Sequence, residues 1–127
     1  MKIFGIGTDI VRVSRLKNSL KKRLFLSRIF SNEEILRCKK TRKYTNCFAK
    51  RFAAKEAFSK ALGTGISKGI SFNEISILNE KNGKPFIKLL DKTKKIVEKK
   101  LIKKKYKISL SLADENDYAV AFVTISI

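Results

Sequence analysis

Histidine is absent from this 127-residue chain, and cysteine occurs only at Cys38 and Cys47. These scarcities exclude an ordinary zinc site, which draws on about four Cys and His ligands. They also remove every Ser-His or Cys-His nucleophile pair. Two cysteines alone make no disulfide framework, so reduced, partly buried thiols are expected. No apolar run approaches the roughly 18–20 residues that a membrane span needs. Met1-Lys2-Ile3-Phe4 passes straight into strand-like sequence, leaving no room for a signal or transit peptide. A cytosolic location with no membrane partner is the expectation.

Acidic residues are the other scarcity: 11 Asp and Glu stand against 30 Lys and Arg, a formal net charge of +19. Such a balance suits a polyanionic partner, whether nucleic acid, an acidic protein or a phosphorylated ligand. It is equally what an AT-rich genome imposes, since Lys outnumbers Arg by 23 to 7. The charge is not that of a disordered chain, because 43% of residues are hydrophobic and nine are Phe. At this length one domain over residues 1–127 is expected, and no repeat, linker or boundary interrupts it.

Residues 2–8 read as a first strand, followed by Asp9 and a basic amphipathic segment from Ile10 to about Phe30. Its apolar positions are Val13, Leu16, Leu20, Leu24 and Ile29. Ser31 and Glu34 have the spacing of a capping box, opening a short helix to about Lys40. A long helix runs from Lys43 or Thr45 to Leu62, with Gly63 at its C′ position in a Gly63-Thr64-Gly65 stop. Ser71–Leu78 alternates as a strand. Asn82-Gly83 is a hairpin signal, and the return strand opens at Pro85, the chain's single proline. A basic helix from Asp91 to about Lys104 turns Ile96, Val97, Leu101 and Ile102 inward. Two strands, 106–113 and 118–127, close the chain. The order predicts an α+β fold, a small and largely antiparallel sheet packed against a long central helix.

Two carboxylates stand out in so basic a chain. Asp9 ends an apolar strand, and Glu56 sits in the long helix beside the small residues Ala49, Ala53 and Ala57. At 100° per residue these lie within about 20–100° of Glu56, a face that would let the helix approach the strand closely. A Mg²⁺ ion takes one or two carboxylates plus substrate phosphates, and Lys60, about 40° round from Glu56, would reach such a phosphate. The same spacing also suits an i,i+4 surface ion pair, and Asp9 a turn or capping carboxylate. Spacing alone leaves both readings open.

Three segments together carry a resemblance. Gly5-Ile6-Gly7-Thr8-Asp9-Ile10-Val11 followed by Arg15, the run from Arg51 through Lys55-Glu56-Ala57-Phe58-Ser59-Lys60 to Gly65, and Asn82-Gly83-Lys84-Pro85 with Ser109-Leu110-Ser111 occur in order across nearly the whole chain. They resemble the holo-acyl-carrier-protein synthase family of small bacterial phosphopantetheinyl transferases. The long-helix segment is the most specific of the three. The resemblance implies a phosphopantetheinyl transferase fold and transfer of 4′-phosphopantetheine from coenzyme A to a serine of an apo acyl carrier protein, in fatty acid biosynthesis. It implies a Mg²⁺ cofactor on Asp9 and Glu56, and Lys60 at the pyrophosphate or assisting proton transfer. Arg51, Asn82, Gly83, Lys84 and Pro85 would contact coenzyme A. Leu112 departs from the pattern, standing where the family usually has a histidine on the coenzyme A 3′-phosphate; that contact is then either missing or replaced, with a lysine as one substitute.

The base that deprotonates the serine stays open among Glu56, a metal-bound water and a neutral Lys60. Arg51 lies about 140° round the helix from Glu56, so one chain would hardly aim both at a single ligand. A site shared between subunits fits the homotrimer that the resemblance implies. By position in the family, Arg15 and the Lys21-Lys22-Arg23 cluster are the expected docking residues for the acidic carrier protein. The competing readings are a carrier-binding relative without activity and a small basic nucleic-acid module using Phe48, Phe52 and Tyr106. No recognition-helix or RNA-binding motif accompanies the charge, and the Phe residues fall at core-like positions, so nucleic acid is not the expected partner.

Overall fold

The computed structural model describes residues 2–63, 69–102 and 105–127. The expectations that fall on Thr64, Gly65, Lys103 and Lys104 lie outside the described residues. Among the described residues, five strands and five helices follow one another: β1 (Ile3–Arg12), α1 (Val13–Leu16), α2 (Arg23–Ile29), α3 (Asn32–Lys39), α4 (Tyr44–Leu62), β2 (Ile75–Asn79), β3 (Pro85–Leu89), α5 (Asp91–Leu101), β4 (Lys107–Glu115) and β5 (Tyr118–Ser126). β1, β5 and β4 form an antiparallel sheet in that order, while β2 and β3 make a separate hairpin. The α+β expectation therefore holds, with the sheet divided in two.

The 19-residue α4 is the axis of the molecule. It is rich in alanine, the best helix former, and Ala53, Ala54 and Ala57 are fully buried. Gly63 ends it in the left-handed region at φ 84°, which suits a residue without Cβ. Gly5 and Gly7 set how closely the helix lies on β1. A Cβ at Gly5 would stand 1.9 Å from the Ala61 carbonyl oxygen, and one at Gly7 1.9 Å from that of Ala57. Strand alternation puts Gly5, Gly7, Asp9 and Val11 on one face, so Asp9 shares the face that meets the helix.

The helix covers one side of the sheet only. Ala119, Ala121, Val123 and Ile125 of β5 are buried beneath it, whereas Ile6, Ile10, Tyr118, Val120 and Phe122 are exposed on the other side. Phe122, 45% exposed, departs from the expectation that every Phe serves the core.

Several sequence expectations are corrected. β1 runs on to Arg12, so Asp9 lies within the strand. The segment 10–30 is no continuous helix: a single 3₁₀ turn at Ser19–Lys21 and an extended Lys22 separate α1 from α2. That break resets the helical phase, burying Leu26 and leaving Leu24 exposed. Phe72–Glu74 is a 3₁₀ turn, and the strand begins at Ile75. Ile102 is 88% exposed, because α5 stops at Leu101 and Ile102 turns left-handed. Cys38 and Cys47 are joined by a disulfide, not held as free thiols. The short Lys40–Lys43 turn folds the end of α3 back onto the start of α4, bringing their Cα atoms to 5.5 Å.

Ser31 and Glu34 form the expected capping box, each bonding the other's backbone N–H. Glu34 also does something a capping residue rarely does. It is fully buried, accepts from Ile77 N at 3.1 Å, and receives Lys55 Nζ at 2.6 Å. Lys55 Nζ donates in addition to the carbonyls of Phe72, at 2.9 Å, and Ile75. Burial pulls the Lys55 pKa down to about 8 against the opposing pull of Glu34. A buried ion pair persists only where its remaining hydrogen-bonding capacity is met, and here three backbone segments meet it.

Candidate active site

Asp9 and Glu56 face each other across the β1–α4 contact. Burial pushes the Glu56 pKa above its ordinary value, the Asp9 carboxylate adds to that push, and Lys60 opposes it. Two carboxylates close enough to repel are the donor set that a hard divalent cation takes. Among the described residues no group of three or more His, Cys, Asp or Glu gathers, so two carboxylates are the whole acidic donor set.

Lys60 completes the cluster in a way the spacing did not show. It does not pair with Glu56 one turn back. Its Nζ reaches across to β1, donating to Thr8 O at 2.9 Å and Asp9 Oδ1 at 3.1 Å. The lysine is 56% exposed and the aspartate 16%, so this cation stands at the protein surface. A groove of about 460 Å³ opens beside Glu56, walled by Phe25, Ile29, Phe52 and Phe72 with Arg28 at its side.

Arg51 lies on another face of α4, in a second cleft. It is 4% exposed, and burial pulls its pKa down, with Arg37 adding to the effect against Glu34. One guanidinium nitrogen donates to Asn79 Oδ1 at 2.7 Å, and the other to Cys47 O and Cys47 Sγ, each at 3.3 Å. Its Nε is the buried side-chain atom without a partner among the described residues. Arg37, Lys43 and Lys50 line the same cleft with Asp114. Asn79 ties this cleft to the hairpin turn, since its Nδ2 donates to Gly83 O at 2.9 Å. Asn82 Oδ1 accepts from Lys84 N at 3.0 Å and sets the shape of the turn.

The predicted residues thus fall into three groups. Asp9, Glu56 and Lys60 come together, and Arg51 joins Asn82, Gly83, Lys84 and Pro85 through Asn79. Arg15, Lys22 and Arg23 are exposed on α1 and at the entry to α2. Leu112 packs against the core, paired with Ala121. Lys50, 3.4 Å from Asp114, is a lysine of the second cleft. Phe48 is buried, and Phe52 meets Phe72 edge-on at 6.1 Å on the wall of the groove beside Glu56. Sequence reasoning missed Asn79, and it read Glu34 only as a capping residue, not as the buried partner of Lys55. The i,i+4 step from Cys47 to Arg51 was the available signal for the sulfur contact.

Comparison with known proteins covers nearly the whole chain. The family profile of the 4′-phosphopantetheinyl transferase superfamily matches residues 5–123. A holo-[acyl-carrier-protein] synthase of Pelagibacter ubique is 47% identical over 125 residues, covering 98% of each chain. The crystal structure of the Neisseria meningitidis holo-[acyl-carrier-protein] synthase superposes with a TM-score of 0.88 at 42% identity, over 98% of this chain and 99% of that one. A Bacillus anthracis holo-(acyl-carrier-protein) synthase in complex with CoA (3′,5′-ADP) gives 0.81 at 34% identity, covering 99% and 98%.

Proposed function

The chain belongs to the 4′-phosphopantetheinyl transferase superfamily, and on that premise we propose that it transfers 4′-phosphopantetheine from coenzyme A to a serine of an apo acyl carrier protein. Adenosine 3′,5′-bisphosphate is the leaving product, and one domain over residues 1–127 does the work in the cytoplasm. The observation that carries this reading is the meeting of Asp9, Glu56 and Lys60 on facing surfaces of β1 and α4.

Phosphoryl transfer asks a protein mainly for positioning and charge stabilisation. Asp9 and Glu56 are the residues that would hold Mg²⁺, and the ion when bound supplies neutralisation of the pyrophosphate. Lys60 Nζ already donates to two oxygen acceptors. That arrangement suits an ammonium serving the departing phosphate better than a proton acceptor. Arg51 and the lysines of its cleft form the seat for the anionic adenosine end, with the Asn82–Pro85 turn beside it. Lys50 or Lys43 takes the place left by Leu112. The groove by Glu56 and the exposed Arg15, Lys22 and Arg23 receive the acidic carrier, whose approach the net charge accelerates.

The two clefts open on different sides of α4, so we assign completion of each site to a neighbouring subunit of a homotrimer. The uncovered sheet face bearing Ile6, Ile10, Val120 and Phe122 is the surface for that contact, since monomers rarely leave so large an apolar patch open. Intact-protein mass spectrometry of an apo acyl carrier protein with coenzyme A and Mg²⁺ tests the activity. One added phosphopantetheine group, abolished by EDTA, is the expected outcome; an unmodified carrier would refute the reading. Light scattering tests the trimer, and a fully active monomer would refute it.

A further inference from the structure

The disulfide stands against the second cleft, and the group that touches it is a buried cation. Arg51 donates to Cys47 Sγ at 3.3 Å, and Thr41 Oγ1 approaches the same sulfur at 3.9 Å. Cys38 is fully buried, while Cys47 keeps 7% of its surface, on the cleft wall. Charged groups lining that wall are Arg37, Lys43, Lys50 and Arg51, against the single carboxylate of Asp114, which Lys50 and Asn46 already engage. A thiolate is stabilised beside arginine and lysine. The reduced form of Cys47 therefore gains a partner that the disulfide sulfur cannot match. A disulfide whose reduced form is stabilised in this way is reducible, and in a reducing compartment such bonds serve sensing more than scaffolding.

We propose that Cys38 and Cys47 are a redox site that sets the free charge of the Arg51 cleft, in exchange with a dithiol of the cell. When the two sulfurs are joined, Arg51 donates only to neutral partners, and its positive charge on the cleft wall remains for an anionic ligand. In the exchange, the S–S bond breaks and the dithiol's two S–H groups give up two electrons and two protons, becoming a disulfide. Cys38 takes one proton as a thiol. Cys47 is left as a thiolate paired with the guanidinium, and the second proton passes to solvent. The thiolate then competes with the phosphate of the ligand for the same cation. Oxidation favours binding in the cleft and reduction weakens it.

This switch rests on the reading of the cleft as the seat of the anionic end of coenzyme A, and the experiment separates the two claims. Coenzyme A binding is measured by calorimetry on the full chain, after oxidation with oxidised glutathione and after reduction with dithiothreitol. Cys38→Ser and Cys47→Ser are measured beside it. Thiol alkylation with intact-mass readout confirms no free thiol in the oxidised wild type and two in the reduced. Losing one charge-assisted hydrogen bond corresponds to binding weakened about tenfold or more. Reduced wild type and Cys38→Ser, which both keep the Cys47 thiolate, are expected to show that weakening. Oxidised wild type and Cys47→Ser, which lack it, bind tightly. If Cys47→Ser binds as weakly as Cys38→Ser, the disulfide acts only as a strap and the charge switch is wrong. Equal binding in all four samples, or a wild type that never loses its free thiols, overturns the switch and leaves the transferase reading intact. No coenzyme A binding in any sample overturns that reading, and the switch with it.

Discussion

Two lysine–carboxylate pairs hang from the same helix five residues apart, and they have almost nothing else in common. Lys55 and Glu34 meet at 2.6 Å with no exposure on either side. Lys60 and Asp9 meet at 3.1 Å with the lysine 56% exposed. The first pair is enclosed by backbone: Ser31 N, Ile77 N and the carbonyls of Phe72 and Ile75 fill its hydrogen bonds. No water-borne ligand can enter, so it can only hold α3, α4 and the start of β2 together. The second pair borrows a single carbonyl, Thr8 O, and turns its ammonium outward. Burial decides which of two chemically alike pairs is scaffold and which stays open to a ligand.

The comparison breaks most visibly at Lys55. Lys55→Met leaves Glu34 charged, buried and unpaired, and should cost about 3–5 kcal/mol of stability, read from urea unfolding. The double variant Lys55→Met/Glu34→Leu should recover much of it, because removing both charges removes the desolvation penalty. Next in size is Gly7→Ala. Its new Cβ would enter the Ala57 carbonyl, and overpacking of this kind costs typically 1–3 kcal/mol or somewhat more. It should also lower transfer, since it pushes Asp9 away from Glu56; a variant with unchanged midpoint and rate would contradict the packing account.

Lys60→Ala sharpens the contrast. An exposed pair contributes about 0–1 kcal/mol, so the unfolding midpoint should hardly move. Transfer should fall roughly 10²–10³-fold, the usual loss when a donor to developing charge is removed. The smallest effect expected lies at Asp114. Partial burial pushes its pKa up, but Asn46 and Lys50 outweigh that and hold it below its ordinary value. The folded state therefore favours the carboxylate. Its contribution is present above the unfolded pKa and fades as pH falls through the lower folded one. At this exposure, less than about 1 kcal/mol should disappear between pH 5 and 2, and Asp114→Asn should flatten that part of the stability profile.

Much of this was legible in sequence where local rules decide. The capping box at Ser31 and Glu34, the alanine-rich α4 ending at Gly63, and the Asn82–Gly83 turn all follow from short-range chemistry. Asp9 and Glu56 stood out because few acids compete with them, but spacing left a surface ion pair and a capping carboxylate open, and only the resemblance joined them as a pair. What was not legible depends on distant contact. Lysine is rarely buried, so nothing in the sequence marks Lys55 for the core over which β2 closes. The phase break at Lys22 carries no proline or glycine to announce it, and Leu24 was accordingly turned the wrong way. For Lys60 the spacing offered a phosphate or its helical neighbour Glu56, whereas its partner is Asp9 on β1, fifty-one residues away in sequence. The disulfide required knowing that the Lys40–Lys43 turn folds α3 back onto α4.

The most direct test of the account is single-turnover transfer to an apo acyl carrier protein by Asp9→Asn and Glu56→Gln, followed by intact mass, with the unfolding midpoint of each variant measured on the same preparation. The account predicts midpoints within about 1 kcal/mol of the wild type in stability terms and transfer reduced at least ~10²-fold. Variants that are folded and still modify the carrier at the wild-type rate would place the chemistry somewhere other than the β1–α4 contact.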